Sequence, residues 1–93
     1  MEKSEDRATA YLTSRQDEID SAALYRLLSE VEDNPEVGRV YARLAEVEEE
    51  HAAFWEGRLK AAGQRVPPRR VGWRSRTLAV LARRFGPQLR HAG

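Results

Sequence analysis

The chain has 93 residues, of which 33% are charged and 41% hydrophobic, and it contains no cysteine. This length allows one small domain at most, and the composition is not that of a disordered chain. The lack of cysteine excludes disulfides and thiolate metal sites. No run approaches the roughly 20 apolar residues of a membrane-spanning helix. Because Met1 to Asp6 is polar and mostly acidic, we expect no secretory signal peptide.

The net charge of +1 conceals two parts of opposite sign. Residues 1–63 contain all 15 acidic residues and 8 basic ones, whereas residues 64–93 contain 8 arginines and no acidic residue. Such a division predicts two parts with different partners. We therefore divide the chain into a helical hairpin over 1–63 and a basic linker with a short amphipathic helix over 64–93.

The first predicted element is a long helix from about Arg7 to Glu32, which follows a frayed terminus. No glycine or proline interrupts it, and apolar residues recur at steps of three and four. Its apolar stripe comprises Leu12, Ile19, Ala22, Ala23, Leu27 and Val31, broadened by Leu24, Tyr25 and Leu28. Because this stripe is wide, we expect the helix to contact more than one neighbour.

A second helix is predicted from Pro35 to about Ala62. Asn34 is a favoured N-cap, Pro35 fits the first helical position, and Gly63 is expected just past the last turn. Its apolar stripe comprises Val37, Val40, Tyr41, Leu44, Val47, Phe54, Trp55 and Leu59. Since the connection is only a few residues long, the two helices should form an antiparallel hairpin.

The C-terminal part begins with Gln64 to Gly72, whose two prolines and three arginines predict a basic, fairly stiff linker. A short amphipathic helix is predicted from Trp73 to Phe85, ended by a Gly-Pro pair. The expected fold class is therefore all-α. An arginine-rich amphipathic stretch suits a cytoplasmic membrane surface, and a docking tail for a protein partner is the alternative. Nucleic acid ranks last, because only Trp73 and Phe85 are interleaved as stacking residues.

One Glu-x-x-His pair lies within the stripe of the second helix. Glu48 and His51 are three residues apart and project from one face, where unpaired burial would be costly. Glu18 precedes the turn by about as much as Glu48 follows it, and both lie on the order of 22 Å from it. Glu18, Glu48 and His51 should therefore converge. Two carboxylates and an imidazole suit iron(II), manganese(II) or zinc.

Two alternatives remain open for these residues. The acidic run Glu48 to Glu50 can equally form a solvated face, with His51 as a surface residue. Tyr25 lies two turns beyond Glu18 and is either a second-shell donor to a metal ligand or a core tyrosine.

One hairpin supplies half of a di-iron carboxylate site. In such bundles two helices each contribute a Glu, and two others each contribute Glu-x-x-His. Two copies of this hairpin about a two-fold axis would supply all six ligands. The wide apolar stripes also require a second chain to cover them. We therefore expect a homodimer, or a multiple of dimers, that forms a ferritin-like four-helix bundle with an iron pair shared between two chains.

Two segments carry a resemblance to a known family. They are Glu18-Ile19-Asp20-Ser21-Ala22-Ala23-Leu24-Tyr25 and Leu44-Ala45-Glu46-Val47-Glu48-Glu49-Glu50-His51-Ala52-Ala53-Phe54-Trp55. The chain resembles the rubrerythrin-like part of the ferritin-like superfamily, above all the N-terminal domain of vacuolar-iron-transporter-like, or membrane-bound ferritin, proteins. It is also similar to encapsulated ferritins, which build the di-iron site across a subunit interface.

The resemblance implies that Glu18, Glu48 and His51 are iron ligands and the catalytic residues of a ferroxidase serving iron or manganese transport or storage. It also implies a transmembrane transporter domain as partner and a location at the cytoplasmic face of a membrane. The chain departs from the family because no second Glu and Glu-x-x-His follow before Gly93. It is therefore either a fragment of a longer membrane protein or a short protein. The competing hypothesis is a non-catalytic helical module for dimerisation and docking, independent of metal.

Overall fold

A computed structural model describes residues 2–92, and the side chains in that range except those of residues 2, 4 and 86–92. The described chain consists of three α-helices without strands: α1 (Glu2–Val31), α2 (Pro35–Ala61) and α3 (Trp73–Ala92). This arrangement confirms the all-α prediction. Helices α1 and α2 pack along each other as a hairpin, and α3 packs against α1. No helix among residues 2–92 is long and apolar enough to cross a bilayer.

Local capping determines where α2 begins and ends. The Asn34 side chain accepts hydrogen bonds from the backbone N–H groups of Glu36 (2.9 Å) and Val37 (3.3 Å). At the other end, Gly63 adopts a φ of 75° and donates to the carbonyl of Lys60. The Gln64 N–H donates to the carbonyl of Leu59, which completes a Schellman motif. The predicted termini of α2 are therefore confirmed to within one residue.

Two of the predicted helix ends are wrong. Helix α1 begins at Glu2 and not near Arg7, because the acidic first turn is favoured by the helix dipole. Helix α3 continues to Ala92 and does not end at Gly86 and Pro87. A proline removes only one intrahelical hydrogen bond, so a helix can continue through it with a kink.

The contact between α1 and α2 is made largely by small residues. The buried apolar residues are Ala8, Ile19, Ala22, Leu27, Ala45, Ala52 and Leu59. Of the stripe predicted on α2, only Leu59 is buried, while Val37, Val40, Leu44 and Phe54 are exposed. Helix α2 turns two alanines towards α1, and its larger apolar residues lie beside that contact. The hairpin therefore leaves an apolar face of α2 uncovered.

The segment between α2 and α3 is held against α1. The Arg15 guanidinium donates to the carbonyl of Pro67 (2.6 Å), and the Gln16 amide donates to that of Arg70 (2.9 Å). The Gly72 N–H donates to the Asp20 carboxylate (2.8 Å). Further along, Arg83 of α3 forms two hydrogen bonds with Glu30 of α1. Helix α3 therefore runs parallel to α1, towards the hairpin turn.

Candidate metal centre

The three predicted ligands lie together on one side of the hairpin. Glu18 comes from α1, and Glu48 and His51 come from adjacent turns of α2. One ligand atom from each residue can be chosen so that all lie within 4.8 Å of one another. The Nδ1 atom of His51 is 3.5 Å from Oε2 of Glu18 and 3.9 Å from Oε1 of Glu48. The hairpin thus brings Glu18 to two donors that follow it in sequence by 30 and 33 residues.

The cluster opens towards the outside of the hairpin. The side chains of Glu18 and Glu48 are 23% and 21% exposed, whereas that of His51 is 54% exposed. The two carboxylates therefore lie in the groove between the helices, and the imidazole lies at its rim. A further ligand from outside the chain can reach this site.

Glu18 disfavours the charged form of Glu48. A hydrogen bond with Glu18 raises the pKa of the Glu48 carboxyl, and partial burial and the charge of Glu18 act in the same direction. His51 opposes the shift weakly. Two such carboxylates are stabilised by a positive charge placed between them, whether a proton or a metal ion.

Two aromatic layers flank the carboxylates. Tyr25 stacks on Tyr41 with a centroid distance of 6.4 Å, and Tyr11 stacks on Trp55 at 5.7 Å. Each of these residues is two helical turns from the glutamate of its own helix. The layers fix the register of α1 against α2, so that Glu18 meets Glu48.

The sequence interpretation missed the roles of Tyr11 and Tyr41. The signal that could have revealed them is their spacing: Tyr11 lies two turns before Glu18, and Tyr41 lies two turns before Glu48, each on the same helix face as its glutamate. Tyr25 belongs to the layer on the turn side of the cluster. Its role as a second-shell donor to a metal ligand stays a prediction.

The geometry of the donors suits a first-row divalent ion. Metal–ligand bonds of about 2.1 Å place neighbouring donor atoms about 3.0–3.4 Å apart. The distances from His51 to the two carboxylates, 3.5 and 3.9 Å, are slightly longer, so small side-chain rotations would complete the site. One chain supplies three donors, whereas such ions take four to six ligands. The remaining positions are open to water or to a second chain.

A separate ionic cluster joins the hairpin to the linker. Arg15 is almost fully buried, and its Nε donates to Glu56 at 2.8 Å. Arg69 of the linker forms two hydrogen bonds with the same carboxylate, at 2.8 and 2.7 Å. These bonds, from Arg69 first and then from Arg15, lower the pKa of Glu56 to about 2. Because Glu56 is fully engaged by two arginines, this cluster fastens the linker across both helices.

Neither a family model, nor a curated protein, nor a solved structure matches this chain. What the chain does is therefore inferred from its own geometry.

Proposed function

We propose that this chain is a metal-binding helical module in which Glu18, Glu48 and His51 bind a divalent transition metal. Iron(II) is the first candidate, and manganese(II) and zinc are the others, because mixed carboxylate and imidazole donors suit all three. The observation that carries the proposal is the convergence of these three side chains from two helices within 4.8 Å.

The proposed complete site contains two chains. The open side of the cluster borders the uncovered face of α2, where Val40, Leu44 and Phe54 are exposed. A second hairpin packed on this face by a two-fold axis would bury these residues and bring a second set of three ligands. Six ligands for two metal ions is the donor set of a di-iron carboxylate bundle. Packing and ligand number both favour the dimer, and they do so independently.

As a ferroxidase, the module would take ferrous iron and oxygen as substrates, with each iron giving up one electron to oxygen. The carboxylates of Glu18 and Glu48 would stabilise the charge that accumulates on the metal. The neutral imidazole of His51 would hold the metal without adding negative charge.

Native mass spectrometry without oxygen, with and without ferrous iron, tests the proposal. We expect an even-numbered oligomer that holds two irons per pair of chains. Glu18→Gln, Glu48→Gln and His51→Ala should each lose iron while remaining helical. Glu50→Gln removes an exposed carboxylate beside the cluster and should bind as the parent does. A chain that takes up no iron, or that takes it up equally in all variants, would contradict the metal site.

The uncovered face of α2 also favours a second candidate, a docking module that needs no metal. On that hypothesis the oligomer forms equally in a chelator, and the triple variant of Glu18, Glu48 and His51 assembles as the parent does. Oligomers that require the metal, or that are tightened by it, exclude this candidate.

A further inference from the structure

The outward side of α3 carries large apolar side chains that nothing in the described chain covers. Trp73 is 67% exposed and Val80 is 61% exposed, and together with Leu81 they border a shallow groove. Val80 and Leu81 follow Trp73 by two helical turns, whereas Ala79 and Ala82 on the other side are partly covered. An exposed apolar patch of this kind marks an interaction site.

A cationic cavity adjoins this apolar side. It lies between α1, the linker and α3 and has a volume of about 580 Å³. Among the described side chains, no acidic residue lines it. Its arginines are Arg26, Arg70, Arg76 and Arg83. Arg26 and Arg83 are paired with glutamates of the hairpin. The guanidinium groups of Arg70 and Arg76 have no carboxylate partner within the described side chains.

The cationic and apolar surfaces are continuous, because Arg76 lines both the cavity and the apolar groove. The guanidinium of Arg74 lies 5.3 Å from the centre of the Trp73 ring, and that of Arg84 lies 5.8 Å from the Phe85 ring. Arginines beside aromatic rings keep their charge at the polar surface while their stems cover apolar area. This arrangement matches the boundary between lipid headgroups and acyl chains.

We propose that α3 and the linker dock on the surface of an anionic lipid bilayer. Arg70 and Arg76 bind lipid phosphates, and Trp73, Val80 and Leu81 insert at the level of the headgroups. The helix lies on the bilayer, in keeping with the finding that no described helix is fit to span one.

Lipid fits this surface better than nucleic acid does. The exposed apolar residues include aliphatic Leu78, Val80 and Leu81, which offer no stacking surface to a base. Of the eight arginines of residues 64–93, Arg69 and Arg83 are paired with glutamates of the hairpin. Lipid phosphates and nucleic acid are both negative, so the aliphatic residues decide between the two partners.

The surface does not depend on the proposed metal site. Helix α3 packs against α1 and makes no contact with α2 within residues 2–92. A test in the presence of a chelator therefore separates the two proposals.

The experiment uses the full chain in a chelator, with vesicles of phosphatidylcholine alone and vesicles that also contain phosphatidylglycerol. We expect co-sedimentation with the anionic vesicles only. In the Trp55→Phe variant, Trp73 is the only tryptophan of the chain. Its fluorescence emission should shift to the blue when the chain binds vesicles. Each arginine near an anionic surface contributes about 1 kcal/mol, so Arg70→Gln with Arg76→Gln should weaken binding roughly 30-fold.

Two further double variants distinguish this surface from net charge and from nucleic acid. Trp73→Ser with Val80→Ser should weaken vesicle binding although it changes no charge. Arg39→Gln with Arg43→Gln removes two exposed arginines of α2 and should bind as the parent does. If both double arginine variants lose vesicle affinity equally, binding depends on net charge alone and not on this surface. Duplex DNA binding that ignores Trp73 and Val80, with no vesicle binding, would overturn the lipid assignment.

Discussion

His51 lies closer to the carboxylate of the other helix than to that of its own. Its Nδ1 is 3.5 Å from Glu18 and 3.9 Å from Glu48, which is one turn away on α2. Helical geometry alone brings Glu48 near His51, but Glu18 arrives there only through the register of the hairpin. The stacked pairs on either side hold that register. A shift of the register by one residue would turn Glu18 by about 100° around its helix and move its carboxylate away from Glu48 and His51.

Glu48→Gln should stabilise the metal-free chain at pH 7. The pKa of Glu48 is raised above its ordinary value of 4.5, so its ionised form is disfavoured in the folded state. The parent therefore loses stability as the pH rises from about 4.5 through the raised pKa, and the variant does not. Thermal unfolding in a chelator should show a melting temperature a few degrees higher for the variant.

The same variant should lose the stabilisation that a bound metal gives. With manganese(II) or zinc present, the parent should melt higher and Glu48→Gln should not change. Glu50→Gln serves as the control and should follow the parent in both conditions. If Glu48→Gln is no more stable than the parent when both are measured in a chelator, the result would contradict the repulsion between the two carboxylates.

Glu56→Gln should destabilise the chain at neutral pH by roughly 2 kcal/mol, because it leaves Arg15 buried without its carboxylate. The pKa of Glu56 is lowered from 4.5 to about 2. Its contribution is therefore complete above about pH 4.5 and is lost as the pH falls towards 2. Urea unfolding across this range should show the parent and variant converging at the acidic end.

The control for this experiment is Glu46→Gln, which removes an exposed ion pair with Arg43. Exposed pairs contribute little, so this variant should unfold close to the parent at every pH. Equal stability of Glu56→Gln and Glu46→Gln at pH 7 would show that the cluster with Arg15 and Arg69 does not hold the linker.

On the core-tyrosine alternative, Tyr25→Phe should leave metal affinity unchanged, whereas Tyr25→Ala should weaken both affinity and stability. The phenylalanine keeps the stack on Tyr41, which we expect to couple the two residues by about 0.5–1.5 kcal/mol in a double-mutant cycle. Titration with manganese(II) or zinc measures the affinity. A loss of tenfold or more in Tyr25→Phe would instead assign the hydroxyl to a second-shell hydrogen bond.

Two glycine substitutions should have opposite effects on the melting temperature. A Cβ at Gly57 meets nothing within 4 Å, so Gly57→Ala should stabilise α2 by about 0.5–1 kcal/mol. A Cβ at Gly72 would lie 3.1 Å from an oxygen of Asp20, which the Gly72 N–H and Gln16 hold in place. Gly72→Ala should therefore displace Asp20 and destabilise the linker. A higher melting temperature in both variants would mean that Asp20 can move away from the added Cβ at little cost.

Several features of this chain could be predicted because they depend on residues close together in sequence. Asn34 and Pro35 begin a helix and Gly63 ends one through caps that need only a few neighbouring residues. Glu48 and His51 share a face because α-helical geometry requires it. The expectation that Glu18 would join them followed from equal distances to a tight turn.

Only the tertiary structure decided which side of α2 is buried. The stripe of larger apolar residues predicted that these residues would be buried. Close contact between two long helices favours small residues instead, and Ala45 and Ala52 occupy the contact. The fit of two surfaces is a property of both helices together, so no local pattern contains it. For the same reason the burial of Arg15 against Glu56 and Arg69 could not be predicted, since it depends on a linker folding back across the hairpin.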